Sequence, residues 1–206
     1  MAGLMRVGVF GGTFDPPHIG HLILAAEGYV QLGLDRLLWV LTPDPPHKQG
    51  WPISPLERRL ELLQASLAGN PAFELSRVDI DRPPPHYALD TLRLLAGEYP
   101  GADLVYLIGG DSLRDLPAWR CPQELLETVR ELGVMRRPGA RVDLSALEQQ
   151  LPGVTAKVHF YEAPLLEISS SEIRRKVAAG GHYRYYLPPA VYEIIQKQGM
   201  YRVKMD

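Results

Sequence analysis

Short apolar runs alternate with amphipathic segments along the chain, and this alternation predicts an α/β fold. Most of the runs are continuously apolar, as in parallel strands that are buried on both faces. Strands are predicted at Leu4–Phe10, Arg36–Leu41, Phe73–Val78, Leu104–Ile108, Leu132–Met135 and Lys157–Tyr161. Helices are predicted over Ile19–Leu32, Ser54–Leu67, Tyr87–Glu98, Leu125–Arg130, Leu144–Leu151, Ser169–Ala179 and Pro189–Gln198. This order favours a doubly wound parallel sheet with helices on both faces.

Capping residues predict where two of the helices begin and end. Gly33 is expected to stop the first helix. Ser54 suits the N-cap of the second helix, with Pro55 in its first turn and Glu57 three residues after the serine.

Two proline-rich segments, 43–46 and 83–85, each follow a predicted strand. Loops at the carboxyl ends of strands bind ligands in open α/β folds, so the polar residues after them, Lys48 and His86, are candidate site residues. The alternative, that both are only stiff surface loops, stays open.

The composition limits the class of protein. The 206 residues suit one domain, expected to cover residues 1–206 with a C-terminal helical part from about 165. A net charge of −2 without a long basic run argues against nucleic acid as a partner. Cys121 is the single cysteine, which excludes an internal disulfide and suits the cytoplasm. No signal peptide is evident, and no apolar run approaches the ~20 residues that a membrane helix needs.

The stretch after the first strand, GGTFDPPHIGH from Gly11 to His21, carries candidate phosphate chemistry. We expect the two glycines to form a turn in which the backbone approaches a phosphate closely and takes conformations closed to other residues. Asp15 and Pro16 are expected to start the helix, and Gly20 to leave room for the ligand.

Two histidines stand near the start of this helix. His18 and His21 are three residues apart, so they share one face beside the helix N-terminus, where an anion is already favoured. As catalytic cations and hydrogen-bond donors, they would assist nucleotidyl transfer from a triphosphate. The stretch lacks the glycine spacing of a dinucleotide-binding dehydrogenase and the Lys-Ser/Thr of a P-loop. A zinc pair or ordinary surface histidines are the competing interpretations.

This stretch resembles the signature of bacterial nicotinate-nucleotide adenylyltransferases, members of the nucleotidyltransferase superfamily with a Rossmann-like fold. The segment ISSSEIR, from Ile168 to Arg174, resembles the second family signature, with Ser171 where threonine is usual. Further family blocks occur in order between them: Pro45-Pro46-His47-Lys48, Ser54 with Arg58, Asp90-Thr91-Leu92, Ile108-Gly109-Gly110-Asp111 and Leu116-Pro117-Ala118-Trp119.

The resemblance implies transfer of AMP from ATP to nicotinate mononucleotide, giving deamido-NAD and pyrophosphate, with Mg²⁺ accompanying the ATP. His21 would contact the α-phosphate and His18 the leaving phosphates, while Lys48 and Arg174 add positive charge. The implied ATP-binding residues are Gly11, Gly12, Thr13, Phe14, His18, His21, Ile168, Ser169, Ser170 and Arg174. No dedicated metal ligands are expected, because phosphates and water would hold the metal.

The acceptor mononucleotide is expected to stack on Trp119, with Asp111 binding ribose hydroxyls. The implied acceptor residues are Lys48, His86, Tyr87, Ala88, Asp111, Trp119 and Arg137. His86 and Ala88 stand where the family usually has serine and threonine. Our hypothesis is that His86 preserves a preference for the acid form, because a partly protonated imidazole favours an anion.

Three alternatives remain at this stage: a pantetheine-phosphate adenylyltransferase, an enzyme that prefers nicotinamide mononucleotide, and a non-catalytic nucleotide-binding regulator. The setting of Trp119 and the chain length argue against the first, and the intact histidines against the last. Oligomeric state is left open, with a homo-oligomer allowed.

Overall fold

A parallel β-sheet forms the centre of the computed structural model, which describes residues 3–45, 52–136, 142–164 and 166–202. Its strands are β1 (Arg6–Gly12), β2 (Arg36–Leu41), β3 (Phe73–Ser76), β4 (Asp103–Gly109), β5 (Glu131–Arg136) and β6 (Val158–Glu162). The spatial order is β3-β2-β1-β4-β5-β6. Because the order reverses between β1 and β4, a crevice is expected at the carboxyl ends of these two strands.

Helices cover both faces of the sheet, so the predicted fold class is confirmed. They are α1 (Ile19–Gln31), α2 (Leu56–Leu67), α3 (Ala88–Glu98), α4 (Gly110–Asp115), α5 (Pro122–Thr128), α6 (Leu144–Gln150), α7 (Val154–Lys157), α8 (Ser170–Ala178) and α9 (Pro189–Gln198). Two 3₁₀ turns lie at Leu116–Ala118 and Arg184–Tyr186. The sequence pattern missed α4, α7 and both turns, because elements this short contain too few residues to show a helical period.

Three apolar clusters hold the layers together. One joins α1 and α2 to the sheet, and a second joins α3, α5 and α6 to the opposite face. In the third, Ile173 and Val177 of α8 and Val191 and Ile195 of α9 pack with Leu62 of α2. The C-terminal helices α8 and α9 therefore pack against α2, the helix that follows β2. In the described part of the chain, no helix combines the length and apolar character needed to cross a bilayer.

Most predicted element boundaries agree with the structure to within two residues, but several expectations about turns and caps were wrong. Gly33 does stop α1, with φ of +58° just after the C-cap Leu32. Ser54 does not cap α2; the N-cap is Pro55, which makes no side-chain capping bond. The backbone N–H of Ser54 instead donates to the carboxylate of Asp15, 3.0 Å away. A contact with a residue 39 positions earlier in the chain replaced the local one.

Arg59 of α2 fastens the loops at the carboxyl ends of β1 and β2. Its side chain is buried, yet the guanidinium donates to four main-chain carbonyl oxygens, those of Thr13, Thr42, Pro43 and Ser54, at 2.7–3.1 Å. Burial lowers the pKa of Arg59, and the Asp15 carboxylate partly offsets that effect. Buried carbonyls need donors, so this one side chain satisfies two loops that have no ladder partners.

We predict that Arg59→Met lowers the free energy of unfolding by about 3 kcal/mol or more, because four carbonyls and the Asp15 carboxylate lose their buried partner. Urea unfolding measures this loss. The adjacent Arg58→Met is the matched control, since its side chain is about half exposed. It should change stability by no more than about 0.5 kcal/mol. Equal effects of the two substitutions would contradict the role given to Arg59.

Candidate active site

A cavity of about 580 Å³ opens where β1, β2 and β4 end and α3 begins. This is the crevice expected from the strand order. Seven of the residues predicted from the sequence line it: Gly11, Gly12, Thr13, His86, Tyr87, Ala88 and Trp119. The structure therefore brings together the start of the phosphate motif and most of the predicted acceptor residues.

The two glycines of the motif do not form the expected turn. Both belong to β1, where Gly11 pairs with Val40 and Gly12 with Leu41, and neither has a positive φ. The left-handed residue is Phe14, with φ of +46°. Added Cβ atoms show why glycine is needed at position 12: one there would lie 2.8 Å from the Phe14 ring. At Gly11 the nearest atom would be the Tyr106 hydroxyl, 3.9 Å away, so the main chain there is open to the cavity.

The two histidines cap α1 for each other. His18 is the N-cap: its Nδ1 accepts from the backbone N–H of His21, at 3.3 Å. The Nδ1 of His21 accepts in turn from the backbone N–H of His18, at 3.2 Å. The rings stack with centroids 3.6 Å apart. The expectation that Asp15 and Pro16 start this helix is therefore wrong, because His18 occupies the cap.

These reciprocal bonds determine which ring nitrogens carry protons. In a neutral imidazole one nitrogen accepts and the other carries the hydrogen. Since both Nδ1 atoms accept, the neutral rings of His18 and His21 are protonated at Nε2, and each Nε2–H is a donor. Burial lowers the pKa of His18 to about 4. At neutral pH His18 is thus an uncharged donor, which corrects the expectation that it is a cation.

Gly20 provides space, but for a histidine rather than for the ligand. A Cβ there would approach the Nδ1 of His18 to 3.0 Å and the Cβ of Ile168 to 3.8 Å. Glycine therefore lets the His18 ring lie over the first turn of α1. It also brings the segment before α8 against that turn, so the two signature segments meet at this point.

The second signature segment is bonded to the first through main-chain carbonyls. Ser169 is the N-cap of α8, and its side chain accepts from Glu172 N. The Ser170 hydroxyl donates to the carbonyl of Pro16 at 2.8 Å. Arg174 donates to the carbonyl of Asp15 at 2.7 Å. In this state Ser170 and Arg174 join α8 to the loop after β1, and their predicted phosphate contacts stay predictions.

The Asp15 side chain forms hydrogen bonds with two other parts of the chain. Its carboxylate is buried and accepts from the Tyr201 hydroxyl at 2.7 Å, as well as from Ser54 N. Burial is the largest cause that raises the pKa of Tyr201, followed by the negative charge of Asp15. Tyr201 therefore stays a protonated donor. Asp15 thus holds the residues that follow α9 against the motif, a contact that no pattern in the sequence indicated.

His86 is buried at the acceptor side of the cavity, between two main-chain carbonyls. Its Nδ1 lies 3.4 Å from the carbonyl oxygen of Asp44, and its Nε2 lies 3.3 Å from that of Arg82. The ring thereby links the loop after β2 to the segment before α3. Direct donation from His86 to a substrate would require one of these contacts to be given up.

Tyr87 and Trp119 supply the aromatic surface of the cavity. Arg120, which also lines the cavity, lies over the Tyr87 ring with its Cζ 4.8 Å from the centroid. Trp119 is half-buried and meets Tyr106 edge to face, with centroids 6.4 Å apart. Tyr87 is the N-cap of α3 and makes no side-chain capping bond. The predicted stacking of a pyridine on Trp119 is compatible with its position on the lining.

Eight of the predicted residues that the structure describes are not on the cavity lining: Phe14, His18, His21, Asp111, Ile168, Ser169, Ser170 and Arg174. The Asp111 side chain is 65% exposed in α4 and pairs with Arg114 at 3.2 Å, while the following Ser112 does line the cavity. Lys48 and Arg137 lie outside the described residues. Their predicted roles stay predictions.

Sequence reasoning missed Asp79, Tyr106 and Arg120 on the cavity lining, and it gave no role to Thr91. Burial and the negative charge of Asp79 raise the pKa of Tyr106, so its hydroxyl stays protonated. The only signal in the sequence was an aspartate, Asp79, between a predicted strand and a predicted helix. A single carboxylate in a loop is normally solvated, so the sequence pattern did not indicate that Asp79 is buried.

The sequence profile of the cytidylyltransferase-like family matches residues 9–176. A Thermomicrobium roseum protein named "Probable nicotinate-nucleotide adenylyltransferase" is 47% identical, covering 97% of this chain and 92% of its own length. A Thermus thermophilus protein of the same name is 40% identical, and the match covers 96% of this chain and 100% of the Thermus protein. The chain therefore belongs to the nicotinate-nucleotide adenylyltransferase family of cytidylyltransferase-like proteins.

A solved structure has the same fold at low identity. Plasmodium falciparum nicotinic acid mononucleotide adenylyltransferase complexed with NaAD superposes with a TM-score of 0.78 at 17% identity. The match covers 96% of this chain and 97% of that chain. The order of elements described above is thus one that occurs in a solved adenylyltransferase.

The low pKa of His18 predicts a stability change between about pH 6.5 and pH 4. As the pH falls through this window, the unfolded chain binds a proton at position 18 while the folded chain does not, so folding loses up to about 3 kcal/mol. His18→Asn removes the titrating ring but keeps an N-cap acceptor. Urea unfolding at both pH values should show a smaller loss for this variant than for the wild type. Parallel pH profiles would contradict a buried neutral His18.

Proposed function

We propose that this protein transfers the adenylyl group of ATP to nicotinate mononucleotide, releasing pyrophosphate and forming deamido-NAD. The observation that carries the proposal is similarity to adenylyltransferases over nearly the whole chain, with both histidines and the second signature segment retained. The reaction belongs to NAD biosynthesis. Small nucleotides are suited to a cavity of about 580 Å³.

The chemistry requires positioning more than covalent participation. An oxygen of the mononucleotide phosphate attacks the α-phosphorus of ATP, the bond from that phosphorus to the bridging oxygen breaks, and pyrophosphate leaves with the electron pair. No bond to the enzyme forms, so the protein must align two anions and stabilise the charge that shifts between them. Prepositioned donors do this without reorganisation at the moment of reaction.

The histidine pair is suited to that task, with His18 as a neutral donor. In the proposed pose, His21 Nε2–H contacts the α-phosphate and His18 Nε2–H the leaving phosphates. Their reciprocal Nδ1 bonds hold both rings in place before ATP arrives. Because His18 adds no charge, the positive charge must come from Lys48, Arg174 and the N-termini of α1 and α8.

Mg²⁺ is proposed to arrive with ATP as part of the substrate. The described residues contain no group of three His, Cys, Asp or Glu side chains placed to hold a metal. The buried carboxylate near the phosphate motif, Asp15, already accepts from Ser54 and Tyr201. The donor set therefore fits a metal carried by phosphate oxygens and water, which Mg²⁺ prefers.

The acceptor is proposed to lie between Trp119 and the start of α3. Trp119 would stack on the pyridine ring, and the backbone N–H groups at Ala88 would favour a carboxylate, because they lie at the positive end of the helix. If backbone donors bind the carboxylate, loss of the usual threonine hydroxyl at Ala88 is tolerated.

We predict pyrophosphate release when the protein is incubated with MgATP and nicotinate mononucleotide. The panel should also contain nicotinamide mononucleotide and 4′-phosphopantetheine. The acid should be preferred. Absence of release with every acceptor would refute the enzymatic role, whereas a preference for the amide would refute only the proposed acceptor.

We predict that His21→Ala lowers kcat/KM by roughly 10²–10³-fold, comparable to the loss of an oxyanion donor. Because the alanine also removes a helix cap, His21→Glu is the informative companion. Glutamate can still accept from His18 N in a capping box but carries no N–H donor. His159→Ala, exposed on β6, is the control and should be neutral. Near wild-type turnover by His21→Glu would reduce His21 to a cap.

A further inference from the structure

An ion pair that is largely removed from solvent lies at the predicted acceptor side of the cavity, where Asp79 and Thr91 belong to the lining. Asp79 is 2% exposed, and its Oδ1 accepts from Arg82 Nε at 2.9 Å, with Arg82 Nη2 at 2.8 Å. The Thr91 hydroxyl donates to the same oxygen at 2.7 Å. Because the carboxylate and guanidinium neutralise each other, the group adds little net charge to the site.

Arg82 also bonds to the segment that precedes α3. Its Nη1 donates to the carbonyl of Pro85 at 2.9 Å, and its Nη2 donates to the Thr91 hydroxyl at 3.1 Å and approaches the carbonyl of Tyr87 at 3.4 Å. The Tyr87 carbonyl further accepts from Thr91 N at 3.2 Å. A planar guanidinium can make these bonds at once, and a lysine could not.

These bonds determine the direction of the peptide groups beside the cavity. In a trans peptide the C=O of one residue and the N–H of the next point in opposite directions. The Tyr87 carbonyl faces Arg82 and Thr91, so the Ala88 N–H points away from them. Ala88 and Thr91 line the cavity, whereas Arg82 borders a separate groove of about 430 Å³. The Ala88 N–H therefore points away from Arg82 and from that groove.

We propose that Asp79, Arg82 and Thr91 are positioning residues that set the preference for the acid over the amide acceptor. They hold the first peptide groups of α3 so that N–H donors meet the substrate substituent. A carboxylate gains from convergent donors, whereas a carboxamide also presents its own N–H group to them, so loss of the alignment costs the acid more. This inference rests on the proposed function and names the residues behind its acceptor specificity.

Thr91→Val tests the inference with little change in shape. It removes the hydroxyl that donates to Asp79 and accepts from Arg82, and Thr91→Ser restores a hydroxyl. Thr128→Val is the matched control. The Thr91 hydroxyl lies 3.1 Å from the carbonyl oxygen of Tyr87, four residues earlier, and the Thr128 hydroxyl donates to the carbonyl of Glu124, also four residues earlier, at an exposed position. Arg82→Lys is a second probe, which keeps the charge but loses the forked geometry.

Calorimetric binding of nicotinate and nicotinamide mononucleotides to each variant gives the main measurement, with KM for ATP and thermal stability alongside. Thr91→Val should weaken binding of the acid about tenfold and of the amide less than about twofold, with KM for ATP unchanged. Thr91→Ser should recover most of the loss, Thr128→Val should match the wild type, and Arg82→Lys should follow Thr91→Val.

Two results would overturn the inference while leaving the proposed function intact. One is equal weakening for both mononucleotides, which would make the network a purely structural support. The other is unchanged binding of the acid in Thr91→Val and Arg82→Lys. If the wild type binds neither mononucleotide, the proposed function fails, and this inference fails with it. Should Arg82→Lys not fold, the comparison of Thr91→Val with Thr91→Ser still decides.

Discussion

The four-carbonyl contact of the buried Arg59 guanidinium is the interaction on which the phosphate side of this protein depends. The loops after β1 and β2 leave the sheet in a buried region, where their carbonyls have no strand partners. Arg59 supplies the donors, and the nearby Asp15 carboxylate balances its charge. The Asp15 carboxylate in turn accepts a hydrogen bond from the Tyr201 hydroxyl in the C-terminal part. The main-chain carbonyl of Asp15 accepts one from Arg174. The ATP side is thus assembled from distant parts of the chain around one buried cation.

On the predicted acceptor side, another arginine likewise donates to main-chain carbonyls of a loop. Arg82, paired with Asp79, holds the carbonyls that precede α3 much as Arg59 holds those after β1 and β2. In both places an arginine organises main-chain groups, and the negative charge of a buried aspartate lies near it. The site between them therefore relies on oriented N–H and Nε2–H donors. This is consistent with His18, whose burial keeps it neutral and whose bond with His21 keeps it aligned.

Local patterns predicted the elements well and the connections poorly. Apolar runs, most of them continuous, identified each strand of the sheet, and the predicted bounds of α9 agree with the structure. The wrong expectations concern residues with strong local preferences, which long-range partners overrode. Ser54 gives its N–H to Asp15 instead of capping α2, and His18 occupies the cap that Asp15 and Pro16 were expected to mark. Gly12 makes room for the Phe14 ring and does not turn the chain.

Residue order alone was enough to predict the parallel α/β architecture and the family, because burial on both faces and two signature segments leave direct marks on the sequence. It also named seven of the residues that line the cavity. How these residues are arranged is a property of the folded chain: which histidine nitrogens are donors, why His18 is uncharged, and which residues line the cavity. Those properties depend on burial and on hydrogen bonds between residues far apart in the chain, such as Asp15 with Tyr201, and residue spacing carries no record of them.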